Sequence, residues 1–501
     1  MNKGNKSPLQ NSINKRQLLF IAATALVTIT ICSKSSPFYP FNDWVDANCF
    51  LTVGKSMLHG KVPYRDLYEQ KGPLLYILHA LTALISETSF LGVYFLELIA
   101  CGIFLFLGFK TIQLYQKSSS VLWVPVMTTV IYSASCFCHG DSAEELCLPI
   151  LAYAIYVGLK SFQYSKAPSY IECFLIGLTS ACVLWIKFNL LGFYLGWFCV
   201  LSIGLIRSGK TKKLLKIVFF IASGVLVTSL PILIYFGANH ALGDLWTVYF
   251  YNNLFAYSST SRNGALSTLA NNLLTGIKKT YSTNKLPLII TLLGGLTLLR
   301  RKEKTDFCFI LMTFVGTFLS VYIGGRSFKY YCFIINAFVP IGIAAAAEFI
   351  RNFNKEYLHL HIPNVIYRCR SILVSILCVI FLFSMCSNTY LLQYKKSDMP
   401  QYQFAEIIGQ VENATLLNYG FLDGGFYTTA GIIPNCRYFC NLNIKLDEIM
   451  ETQNKYVDQR LVDFVVTRNE ELKSDQYILV ATSSMYFEEK TYDYYLYRLI
   501  Q

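Results

Sequence analysis

The sequence predicts an α-helical polytopic membrane protein, with about eleven spans of roughly 20 residues or fewer and a small α/β domain after the last of them. Three observations carry this. Of 501 residues, 54% are hydrophobic and only 15% are charged, whereas soluble domains average about 25% charged. The basic residues behind the net charge of +13 fall in short clusters between apolar runs, as cytoplasmic loops do. They do not line one face that could track a phosphate backbone, so nucleic acid is excluded as a partner. Finally, residues 391–501 lose the long apolar runs and take up mixed charge and turn signals.

The elements follow in order. Residues 1–16 carry Lys3, Lys6, Lys15 and Arg16 and no acid. The run Leu18 to Cys32 is therefore read as an uncleaved first span with the N-terminus inside. Inner loops are marked by Lys110 and Lys117, by Lys160 and Lys166, by RSGKTKKLLK at 207–216, and by Arg300 to Lys304. Segments 34–89, 138–145, 237–284 and 324–331 then lie outside. Between them run Phe90 to Thr111, Val121 to Phe137 and Leu146 to Leu159. A hairpin of Ile171 to Ile186 and Leu190 to Ile206 follows, then Ile217 to Phe236, Leu286 to Leu299, Phe307 to Ile323, Cys332 to Ile350 and Ile372 to Tyr390. In the first outer segment, Phe50, Leu51, Val53, Met57 and Leu58 suit an amphipathic interfacial helix. A second begins after Gly72-Pro73, a natural helix entry. The tail carries β-prone runs DFVVT, QYILVAT and YDYYLYRLI. The division is thus residues 1–390 in the membrane, 34–89 forming the first outer loop, and an extracytoplasmic domain at 391–501. Most of the sixteen Cys lie in apolar runs as small hydrophobes. Cys136 with Cys138, or Cys436 with Cys440, are spaced for outside disulfides.

The polar stretch Asp43 to Leu75 is where charge crowds a membrane boundary, and such charge needs water, head groups or a substrate. Asp43 and Asp46 are carboxylates able to take a proton from an incoming hydroxyl, or to cap the helix that follows. Tyr64, Arg65 and Asp66 precede Lys71, a cation placed to bind a lipid phosphate or to snorkel to head groups. Asp141, Glu144 and Glu145 either position a cation or form an acidic first helical turn. Lys187, flanked by Trp185, Ile186 and Phe188, is costly in lipid. Arg326, Lys329, Tyr330 and Tyr331 are a phosphate-binding set or an aromatic-belt anchor. All of these fall on the same side of the membrane.

In that order, the sequence resembles the bacterial membrane glycosyltransferases of the GT-C fold. These are relatives of the protein O-mannosyltransferase group (glycosyltransferase family 39) and of the aminoarabinose transferases. The resemblance rests on Asp46 opening a helix that runs to Met57-Leu58-His59-Gly60, then VPYRD at 62–66 and KGPLLY at 71–76. It continues with GDSAEE at 140–145, WIKFN at 185–189 and GGRSFKYY at 324–331. It implies Asp46 as the base for the acceptor, with Asp43 in reserve. Lys71, Lys187, Arg326, Lys329 and Tyr330 then attend the donor phosphate. Tyr64, Arg65, Asp66, Asp141 and Glu144 position the acceptor or a cation. The implied reaction moves one sugar, with inversion, from a polyprenyl-phosphate donor to a cell-envelope acceptor outside the cytoplasmic membrane. The sequence departs by carrying Lys329 where relatives have His, and Asp46-Ala47 where many have Asp-Glu. The second departure leaves a divalent metal open. Other readings of the same outer cations are a lipid-linked glycan polymerase or ligase, and a flippase of lipid-linked sugars.

Overall fold

The computed structural model describes residues 13–116, 120–256, 265–301, 303–353, 364–487 and 490–500. Lys3, Lys6, Lys117 and Lys302 lie outside these. The helices are α1 (Lys15–Cys32), α2 (Val45–Leu58), α3 (Pro73–Ala83), α4 (Leu91–Tyr115), α5 (Trp123–Tyr132), α6 (Ala143–Gln163), α7 (Tyr170–Lys187), α8 (Gly192–Arg207) and α9 (Thr211–Ala238). Further helices follow at Leu245–Ala256, Ala265–Thr283, Lys285–Arg300, Lys304–Tyr322, Lys329–Phe338, Val339–Phe353 and Asn364–Met385. Among the described residues, 7 helical runs are long and apolar enough to cross a membrane, or up to 9 if each bent pair counts as one.

The shortfall from eleven has two sources. The run expected from Val121 forms only the 10 residues of α5, about 15 Å at 1.5 Å per residue and half the hydrocarbon thickness. The two spans expected as a hairpin, α7 and α8, instead follow one another in a single run of 38 residues, Tyr170–Arg207, joined through the short segment Phe188–Leu191. The backbone nevertheless leaves the helical region at the expected bend, with Lys187 at φ −158° and ψ 87°. The expected outer segment 237–284 is not open loop: it holds the helices Leu245–Ala256 and Ala265–Thr283.

The chain groups into two compact units. The first comprises Met1–Cys32, Glu97–Ser229 and Thr260–Ser387. Its helices pack at small residues, as lipid-embedded helices do. A Cβ at Gly196 of α8 would collide with the Met312 carbonyl, and one at Gly177 of α7 with the Ile221 carbonyl of α9.

The second unit comprises Ser33–Leu96, Leu230–Ser259 and Asn388–Gln501. The first outer segment thus groups with the tail, a different division from the cut near residue 390. The tail is the expected small α/β structure, a four-stranded sheet of β1 (Leu416–Asn418), β2 (Phe464–Arg468), β3 (Tyr477–Phe487) and β4 (Lys490–Leu499) in the order β1-β2-β4-β3. β1 pairs parallel to β2, and the other pairings are antiparallel. Helix α2 forms where expected but is buried from Ala47 to Ser56, not on one face alone. The reason is polar. Thr52 donates to Asp423 at 2.7 Å, and the Lys55 ammonium donates to the Tyr427 carbonyl at 2.7 Å.

Lys55 has a pH signature. Burial pushes its ammonium down to about 8, against the opposing pull of Asp423 and Glu87. Its folded value is depressed, so between about pH 8 and the unfolded value of about 10.4 the unfolded chain holds the proton more. Stability contributed by this site therefore rises with pH through that window. Lys55→Met removes this rise: the wild-type minus variant difference in unfolding free energy is expected to grow by up to about 3 kcal/mol from pH 7 to 10.5, read as thermal midpoints in detergent.

Candidate active site

The stretch leading into α3 holds Lys71 by its backbone. The Lys71 N–H donates to the Glu69 carboxylate at 2.9 Å, and its carbonyl accepts from the Tyr64 hydroxyl at 2.6 Å. Glu69 is itself buried and takes a second, short hydrogen bond from the Tyr76 hydroxyl. Gly72 then caps α3 with Pro73 in its first turn, a pre-formed helix entry. With both backbone groups fixed, the side chain is the movable part. Its Nζ lies 3.6 Å from Asp46 Oδ2 and 5.2 Å from the Phe50 ring centroid. Both charged side chains keep about a fifth of their surface, 20% for Lys71 and 19% for Asp46. Asp46 does not cap α2. The cap position is Trp44, with no side-chain hydrogen bond, and Asp46 sits one residue inside the helix, where its charge favours the dipole.

Asp43 is placed differently. It forms a 2.6 Å ion pair with Lys34, the two side chains 3% and 0% exposed, and accepts from the Tyr390 hydroxyl at 3.1 Å. Asp43, the expected reserve base, is thus closed off from solvent in an ion pair, unlike the part-exposed Asp46. Tyr64 is also not open to an acceptor. It is fully buried with φ 71°, and its ring stacks on Phe236 and Tyr249. Its use is the hydrogen bond that holds Lys71. Arg65 grips Asp66 through two hydrogen bonds of 2.9 and 2.8 Å and donates to the Asn239 carbonyl at 2.8 Å. That hydrogen bonding from Arg65 holds the Asp66 carboxyl below its ordinary value, and Asp66 in turn accepts the Val62 N–H at 2.7 Å. Arg65 and Asp66 thus fix their own turn, and Tyr64 links that turn to the Lys71 backbone. Asn253 donates to the Gln70 carbonyl at 2.8 Å. The sequence carried no signal for Asn253, and Glu69 was visible there only as one more charge.

In the first unit, Lys187 and Glu144 form a buried, short ion pair. The Lys187 Nζ sits 3.8 Å from the Tyr331 ring centroid and 5.7 Å from that of Tyr330, a desolvated cation–π arrangement. Glu144 and Glu145 occupy the first turn of α6, capped by the Ser142 hydroxyl accepting from Glu145 N–H at 3.1 Å. Glu144 is thus an acid in the first turn of a helix and the ion-pair partner of Lys187. Asp141 is buried at φ 54°, and its N–H donates to Glu97 at 2.9 Å. Glu97 lies in the apolar run of α4, and nothing in the sequence pattern drew attention to it. Arg326 is half-buried in the turn before Lys329–Phe338, and Lys329 is exposed. Among the described residues, no group of three or more His, Cys, Asp or Glu is arranged to hold a metal ion.

No protein-family model matches this chain, and no curated protein matches it. Solved structures do. The chain is similar to ArnT from Cupriavidus metallidurans bound to undecaprenyl phosphate, with a TM-score of 0.61, 13% identity, and 96% of this chain and 97% of that chain covered. It is similar to the apo state of the same protein at a TM-score of 0.60, 12% identity and the same coverage. The similarity runs over nearly the whole length of both chains and establishes the GT-C-like membrane fold.

Proposed function

We propose that this chain transfers a single sugar from a polyprenyl-phosphate donor to a cell-envelope acceptor on the outer face of the cytoplasmic membrane. The N-terminus is inside and the C-terminal domain outside. The observation that carries the proposal is the Lys71–Asp46 pair, 3.6 Å apart and part-exposed, on a chain whose full-length structural neighbour is described as bound to undecaprenyl phosphate. Lys71 is the phosphate ligand and Asp46 the base. When the donor phosphate draws the Lys71 ammonium to itself, the Asp46 carboxylate is released from the pair and turns to face the acceptor hydroxyl. The acceptor O–H proton passes to the Asp46 carboxylate, the oxygen attacks the anomeric carbon, and the bond from that carbon to the phosphate oxygen breaks. The phosphate leaves with the electron pair, its charge met by Lys71. Attack opposite the leaving group inverts the anomeric centre. Lys187, held by Glu144 and Tyr331, is assigned the positioning of the 144 and 331 segments of its own unit. Arg326, half-buried, and Lys329, exposed, are cations of that unit with surface to offer a phosphate.

The test is a transfer assay in membranes with a panel of radiolabelled polyprenyl-phosphate sugars. Wild type is expected to place label on an envelope acceptor, and Lys71→Ala to lose at least tenfold in rate, about 1.4 kcal/mol of transition-state stabilisation. Equal rates in the two would remove Lys71 from the chemistry. Tyr64→Phe deletes only the hydroxyl that holds the Lys71 carbonyl. Loosening the lysine is expected to slow transfer by about tenfold at unchanged abundance, seen in kcat at saturating donor.

A further inference from the structure

Beyond the Lys71–Asp46 pair, α2 contributes one member of an unused pair of thiols. Cys49, one turn after Asp46, has its sulfur 3.7 Å from that of Cys440, 391 residues on in the chain. Both residues are buried, at 2% and 1% exposure. Spacing alone would join Cys440 to its neighbour Cys436, but the fold gives it Cys49 instead. Thiols also reach distant segments within the other unit, where Cys136 Sγ donates to Asn284 at 3.2 Å and Cys386 Sγ to the Ile31 carbonyl at 3.4 Å. No disulfide is present among the described residues.

We propose that Cys49 and Cys440 are a redox site that closes into a disulfide, tying the helix that bears Asp46 to the 436–440 segment of the tail. The two sulfurs are already in contact at 3.7 Å, and a disulfide asks that they close to about 2 Å with a dihedral of about 90°. The oxidant is a small-molecule or protein disulfide. One thiolate attacks it to give a mixed disulfide and release one thiol, and the second thiolate displaces the other. Two cysteines are oxidised, one external disulfide is reduced, and two protons leave the protein thiols. Buried thiols react slowly, so closure precedes the final packing of α2 against the tail. The orientation under Proposed function places both sulfurs on the side where disulfides persist; the geometry of the pair does not depend on it, nor does it depend on the transfer reaction.

Tryptic cleavage separates the alternatives, because Cys49 lies in peptide 35–55, Cys440 in 438–445 and Cys436 in 397–437. Membranes from aerobically grown cells making the full chain are denatured in N-ethylmaleimide and digested without reductant. The expected product is 35–55 joined to 438–445, split by reduction, retained in Cys436→Ser and absent in Cys440→Ser. Recovery of 35–55 and 438–445 as separate alkylated peptides would overturn the proposal, as would linkage of either one to 397–437.

Discussion

Asp46→Asn is expected to lower the transfer rate by about 10²–10⁴-fold, the usual contribution of a positioned general base, with membrane abundance unchanged. Both halves of that statement follow from the environment. Asparagine keeps the shape of the side chain and loses the ability to take a proton. The carboxylate is 19% exposed and its Lys71 partner 20%, so removing the charge strands no buried partner. The loss should lie in kcat, with donor affinity retained or raised, because the Lys71 ammonium no longer has a competing anion. Initial rates at saturating donor, normalised to protein by immunoblot, read the outcome. Transfer at the wild-type rate would remove Asp46 from the mechanism.

Asp43→Asn is expected to do the reverse. The Lys34–Asp43 pair is 2.6 Å long, with side chains 0% and 3% exposed. Deleting one partner leaves a buried ammonium, which typically costs about 3–5 kcal/mol. Lys34 also lies 5.1 Å from the Tyr390 ring centroid and 4.8 Å from that of Phe487, so the loss is felt where the segment after α1 meets the tail. The expected readouts are a lower thermal midpoint in detergent and reduced abundance, with transfer per folded molecule retained. Removing both charges, in Lys34→Met with Asp43→Asn, should recover much of the loss, since the orphaned charge is then gone. A variant that is fully stable yet inactive would instead make Asp43 a chemical group.

The contrast between these two acids shows what the sequence could and could not carry. Three residues apart, they look alike as letters, and the ordering of motifs after the first span was enough to pick out the stretch and the fold. What separates them is Lys34 and Tyr390, the latter 347 residues away, and no local pattern encodes that meeting. The same holds for Tyr64, Arg65 and Asp66. Their polarity suggested an acceptor site, while their hydrogen bonds run from Tyr64 to the Lys71 carbonyl and from Arg65 to Asp66 and the Asn239 carbonyl. Lys187 was legible as an expensive cation, and Glu144 as an acidic first turn, but that they neutralise each other required the fold. Span counting failed at α5 for a plain reason. An apolar run records burial, and burial in protein and burial in lipid leave the same composition.

The most direct test of the central claim is the lipid product. With donor labelled in the polyprenyl chain, transfer by the Lys71–Asp46 mechanism releases one polyprenyl phosphate for each sugar that reaches the acceptor. Release of polyprenyl diphosphate from a diphosphate-linked glycan supplied in parallel, with the monophosphate donor left intact, would point to a polymerase or ligase. Intact donor moving between leaflets with no release would point to a flippase, and either result would contradict the account.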